Sequence, residues 1–222
     1  MRHSGWMRRA IEGSSAATNH GGEASVAIIE IPDSDGFPGG SETFELVAKF
    51  CYGHYYGDHE MDPRTVAPLR CAAEYLDMSE TYAPANLISR TDSYLTSRHI
   101  LHNLRNIVLV LRSCERLLPI AEELGIVKRC VAAACDHILS YNAPPIHSVR
   151  SSPSAHQFGS SRPPNGNPAE SWIEDLSLLG IHFFHRVLSA VKAHGTARPD
   201  SLASAVAHYA NNSPPLRALL KK

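Results

Sequence analysis

Residues 143–169, APPIHSVRSSPSAHQFGSSRPPNGNPA, hold six of the chain's fifteen prolines, many serines and almost no large apolar side chains. A stretch of that composition cannot bury enough surface to offset its ordering entropy, so a disordered linker is expected there. It divides the 222 residues into a patterned part, 1–142, the linker, and a second patterned part, 170–222. The hydrophobic fraction of 43% permits a genuine core, and the formal charge of −1 gives no general attraction to nucleic acid or to an acidic membrane surface. No apolar run approaches the ~20 residues of a transmembrane segment. The start, MRHSGWMRRAIEG, is basic but lacks the apolar stretch of a secretory signal. Five cysteines, an odd number at spacings that form no disulfide framework, point to a reducing compartment and a cytoplasmic protein.

The first part carries one strand signal. Val26 to Ile31 is β-branched and lies between a Gly-Gly pair and Pro32-Asp33. The turn FPGG follows, and Ser41 is placed to cap a helix with Phe44 at its third position. Phe44, Val47, Ala48 and Cys51 then form a buried stripe at helical spacing, with Gly53 as the stop. For the next helix Asp62 is the expected N-cap and Pro63 the first residue, with Val66, Leu69, Ala73 and Leu76 facing one way. Pro68 breaks that pattern: inside a helix it costs ~3 kcal/mol, so a kink or a restart is expected. Further helices are predicted at Asn86–Thr96, Ile100–Cys114 and Ile120–Tyr141. The fold class is therefore mainly α with one short strand.

Chemistry is sparse. Cys51 and Cys71 lie on apolar faces among alanines, where a cysteine acts as a small hydrophobe. Cys130-x4-Cys135-x-His137 is the nearest approach to a metal constellation and the basis for a thiol- or metal-dependent enzyme reading. At 100° per residue, however, Cys135 points roughly 140° away from Cys130. His182 and His185 make half a site with no second pair. The chain has no GxSxG elbow, dinucleotide GxGxxG or P-loop lysine. Gly39-Gly40 before a helix could admit an anion, but a turn explains the pair better. Glu122-Glu123 and Glu174-Asp175 fit favourable helix charges better than acid–base pairs. Arg8-Arg9 and Lys221-Lys222 are too short for nucleic-acid binding. No catalytic, cofactor or metal residue is assigned. In the linker, the mobile basic-flanked Ser151 and Ser152 are candidate phosphorylation sites, each phosphate adding about −2 charge.

The runs IIEIPD, FPGGSETFELVAKFCYG, VAPLRCAAEYLDMSE, NLISRTDSYL and LRSCERLLPIAEELGIVKRC resemble the C-terminal part of an α+β BTB/POZ domain. They are similar to the plant family that joins this domain to a non-phototropic-hypocotyl-3 domain. SGWMRRAIEG matches the helix upstream of the BTB strand, and WIEDLSLLGIHFFHRVLSAVKAHG resembles the opening of the second domain, an α-helical segment. The resemblance implies a partial BTB/POZ domain with following helices over 1–142 and the start of the second domain over 170–222. It also implies a non-catalytic substrate adaptor of a cullin-3 ubiquitin ligase in phototropic and auxin-linked signalling. Cullin-3 and phototropin-type receptor kinases would be its partners, no cofactor is implied, and its place would be the cytoplasm or the inner face of the plasma membrane. Tyr52, His54 and Tyr55 are the implied partner contacts; the alternative for Tyr52 is a ring that closes the core. Trp172, Leu176, Leu179, Phe183, Phe184 and Val187 would be the second core. The family's early strands and later segments are missing, so the expected chain is truncated at both ends. A BTB dimer is thereby put in question, and the alternative is a fragment without ligase function or one that competes with full-length relatives.

Overall fold

A computed structural model describes residues 3–16, 36–53, 61–142, 171–195 and 197–212. These are mainly helical, and no strand occurs among them. The expected strand Val26–Ile31 and the expected linker 143–169 lie outside the described residues. The chain falls into two compact units, Met1–Ala133 and Ala134–Lys222.

The first unit is built around α3 (Val66–Tyr75), which buries seven of its ten residues, Val66, Ala67 and the run from Leu69 to Ala73. Small side chains on most of its circumference let α2 (Gly40–Cys51), α4 (Leu87–Leu95), α6 (Leu104–Cys114) and α7 (Ile120–Glu123) all close on it. Leu69 and Leu76 are fully buried, each contributing roughly 1.5–3 kcal/mol. The N-terminal helix α1 (Gly5–Ala16) is tied to the end of α3: Gly5 and Trp6 donate their N–H groups to the carbonyls of Asp77 and Leu76, at 3.0 and 3.2 Å. A side chain at Gly5 would collide with Tyr82 and Asp77, so the close approach needs glycine.

Pro68 causes no kink. The chain turns at Asp62–Thr65 and the helix starts at Val66, which makes Pro68 its third residue. The first four N–H groups of a helix have no internal partner, so the proline forfeits nothing. Asp62 accordingly caps the turn and not the helix, its carboxylate accepting from the Arg64 N–H at 2.7 Å. Ser41 is likewise displaced from its expected role. The cap is Gly39 in the left-handed region (φ 81°), where a Cβ would also press on Pro68, and α2 begins at Gly40. The buried face becomes Thr43, Val47 and Phe50, leaving Phe44, Ala48 and Cys51 half-buried. Gly53 ends the turn at φ 74° as expected.

Two long predicted helices are each broken once. Residues 100–114 divide into α5 (Arg98–Leu101) and α6, because the Asn103 side chain accepts from the Asn106 N–H and starts a new helix. Residues 120–141 divide into α7 and α8 (Ile126–Asn142) at Gly125, whose φ of 69° no helix tolerates. The predicted Asn86–Thr96 helix holds, with Asn86 as N-cap and Thr96 as C-cap.

In the second unit α9 (Ser171–Leu176), α10 (Ile181–Ala193) and α11 (Pro199–Asn212) pack an aromatic core. Trp172, Leu176, Leu179, Phe183, Phe184 and Val187 are all buried, as the sequence predicts. The Tyr209 ring stacks on Phe184 at 3.8 Å, and its hydroxyl donates to the Leu179 carbonyl at 3.0 Å. No helix among the described residues is long and apolar enough to cross a membrane.

Candidate functional site

The thiols are packing groups in this structure. Cys71, Cys114 and Cys130 sit on α3, α6 and α8 with at most 1% of their surface exposed. Burial pushes the Cys71 and Cys130 thiols up to about 12 and Cys114 further still, the opposite of what a nucleophile or metal ligand needs. Cys51, half-buried, and Cys135 are raised by the same cause. Among the described residues no three His, Cys, Asp or Glu side chains converge on a metal-sized space, so Cys130, Cys135 and His137 do not form a centre. His182 and His185 are exposed on α10, where they border a shallow groove with Ile181, Arg186 and Ser189.

Two polar arrangements that spacing does not reveal hold the first unit together. Asn86 is completely buried. Its amide donates to the carbonyls of His3 and Ser79, both at 2.8 Å, and its oxygen accepts from the Leu87 N–H at 2.9 Å. Arg70, 8% exposed, reaches Glu74 at 2.8 Å and Asp92 at 3.2 Å. The contact from Nε to Asp92 is an ion pair whose angle makes no hydrogen bond. Asp92 also faces Arg129 at 4.0 Å, so the carboxylate on α4 lies between arginines of α3 and α8. The sequence marks Arg70 only as the neighbour of Cys71. A charged residue in the middle of a helix otherwise made of apolar side chains from Val66 to Ala73 is the signal that could have found the pair.

Of the expected partner contacts, Tyr52 follows the last turn of α2 and is 80% exposed. It therefore does not close the core, and a large aromatic ring presented to solvent is a feature of contact surfaces. His54 and Tyr55 lie outside the described residues, as do Ser151 and Ser152. At the opposite end of α2 a cleft of about 570 Å³ opens between the Gly36–Glu42 turn and the Arg116–Ile120 corner. Arg116 and Glu42 both line it, and Leu118 is 41% exposed there.

Residues 170–221 match the NPH3 family. Over 205 residues, 87% of the chain, the sequence is 39% identical to Root phototropism protein 2 of Arabidopsis thaliana. It is 36% identical over 200 residues to the BTB/POZ domain-containing protein SETH6, and 39% identical over 174 residues to the BTB/POZ domain-containing protein SR1IP1, both of the same plant. These alignments take in 86% and 78% of the chain. They cover 30%, 29% and 27% of the three relatives, so the chain spans less than a third of their length. No solved structure matches it. With its NPH3 segment and a likeness to BTB/POZ proteins over most of its length, the chain belongs to the plant NPH3 family of BTB/POZ-domain proteins.

Proposed function

We propose that this chain is a non-catalytic interaction module of an adaptor for a cullin-3 ubiquitin ligase, acting in phototropic and auxin-linked signalling. The observation that carries the reading is the likeness to Root phototropism protein 2 across 87% of the chain. The structure is in keeping with it: the surface offers an exposed aromatic at Tyr52 and an open cleft, while four of the five thiols are buried. On this reading residues 1–142 are part of a BTB/POZ domain with its following helices, and residues 170–222 begin the NPH3 domain. Tyr52, with His54 and Tyr55, meets the cullin side; a phototropin-type receptor kinase is the second partner. Ser151 and Ser152 accept phosphate in the segment between. The protein works in the cytoplasm, reaching the inner face of the plasma membrane through its partners.

The test is retention of the purified chain on immobilised cullin-3 N-terminal region and, separately, on a phototropin fragment. Retention on cullin-3 that Tyr52→Ala weakens supports the adaptor. Folded protein that ignores both baits but co-precipitates Root phototropism protein 2 would instead be a competitor of longer relatives. Turnover of a small molecule, abolished by Cys130→Ser, would overturn the non-catalytic reading.

A further inference from the structure

Between Asp92 and Glu115 the sequence has no acidic residue, yet it holds Arg98, Arg105 and Arg112, with Arg116 just beyond. The structure puts all four arginines at the surface. On α6 the inward side is Leu104, Ile107, Val108, Val110, Leu111 and Cys114. Arg105 and Arg112, seven residues apart, share the outward side with half-buried Leu109 between them. Two turns of helix separate them by about 10.5 Å along the axis. Arg116 carries the line past the helix end to the cleft at the start of α2, and Arg98 stands exposed on α5, the short helix that packs on α6. The opposing charges nearby are Glu115, which has a contact of its own, and Glu42 across the cleft from Arg116. Arg98, Arg112 and Arg116 have no ion pair within the described residues, whereas Arg105 has a further contact in the protein.

We propose that this arginine-lined face of α5 and α6 docks an acidic polypeptide segment, a helix with carboxylates one and two turns apart. The cations are all arginine, whose planar fork takes a carboxylate through two parallel hydrogen bonds, a match that a lysine lacks. Leu109 and the exposed edge of Leu118 give an apolar residue of such a segment something to rest on. A lipid surface is held by about four to eight basic residues clustered together, whereas these four arginines are spread from Arg98 to Arg116 on either side of and along α6. The inference does not depend on cullin-3 or a receptor, because it names only the charge pattern of the bound chain.

The probe is a fluorescein-labelled helical peptide with glutamates at i, i+4, i+7 and i+11 and leucines between them, read by anisotropy against the full chain. A peptide with glutamine in place of every glutamate is the control. Saturable binding of the glutamate peptide alone is expected. It should weaken about tenfold in the double variant Arg112→Glu, Arg116→Glu and on raising salt severalfold. The milder pair Arg112→Gln, Arg116→Gln, which leaves the helix surface polar and neutral, should give an intermediate loss with an unchanged circular dichroism spectrum. Equal binding of the two peptides, indifference to both variants, or sedimentation with phosphatidylserine vesicles in place of peptide binding would each overturn the proposal.

Discussion

The two units reach stable packing by different means. In the first, small residues on α3 bring several helices close together, and buried polar groups then fix which helix lies where. Asn86 ties His3, Ser79 and the start of α4 to one point, and Arg70 and Arg129 meet over Asp92. In the second, Trp172, Phe183, Phe184 and Tyr209 fill the space themselves, helped by the long-range hydrogen bond from Tyr209 to Leu179. Large rings hold a core by area and shape, while a close-packed small-residue helix leaves selection among packings to its polar contacts. The first unit should accordingly be the more sensitive to loss of one polar atom.

Each unit has its own tryptophan, Trp6 in the first and Trp172 in the second, so Trp172→Phe and Trp6→Phe variants isolate the two signals. The largest contrast is expected in alkali. The folded thiols of Cys71 and Cys130 titrate near 12 against an ordinary 9.0. Because the folded values are raised, their contribution is intact below pH 9 and is lost as pH climbs toward 12. Each thiol should remove on the order of 1 kcal/mol per pH unit in that window. Urea midpoints followed through Trp6 should fall steeply above pH 9, and Cys71→Ala with Cys130→Ala should flatten the fall. The second unit has only Cys135, so Trp172 should report a shallower decline. Parallel curves would erase the distinction.

Next in size is Asn86→Leu, which strands the His3 and Ser79 carbonyls and removes a helix cap. A loss of about 3 kcal/mol is expected in the Trp6 transition. Tyr209→Phe keeps the stacked ring and deletes only the hydroxyl, so it should lower the Trp172 transition by about 1 kcal/mol. A loss as large as that of Asn86→Leu would mean that the second unit too depends on its polar contact.

Much of the helical framework was legible because helical patterning is local. The apolar runs over residues 86–96, 126–141 and 171–193 repeat at three- and four-residue intervals, which a helix alone converts into a face. The errors fell at boundaries. Ser41 and Asp62 are good cap types, yet the left-handed Gly39 and the Asp62–Thr65 turn moved the caps by two and three residues. Asn103 and Gly125 interrupt patterns that otherwise read as continuous. For the proposed contact surface, the position of Tyr52 at the end of α2 was readable, but its exposure was not, because a ring at a helix end can turn inward or outward. The arginine face was countable in the chain, but only the buried opposite side of α6 shows that it points outward.

The amino-acid order by itself determined the helical class, the inward faces of the helices other than α2 and the aromatic composition of the second core, since each depends on residues a turn or two apart. On α2 the buried face turned to Thr43, Val47 and Phe50. Tertiary structure alone decided that Asn86 would meet His3, 83 residues away, that Arg70 would find Asp92, and that Pro68 would fall where no hydrogen bond is lost. Spacing along a chain encodes which side of a helix is apolar. It carries no record of which distant carbonyl or carboxylate that side will meet, because that choice is made by the packing of all the helices at once.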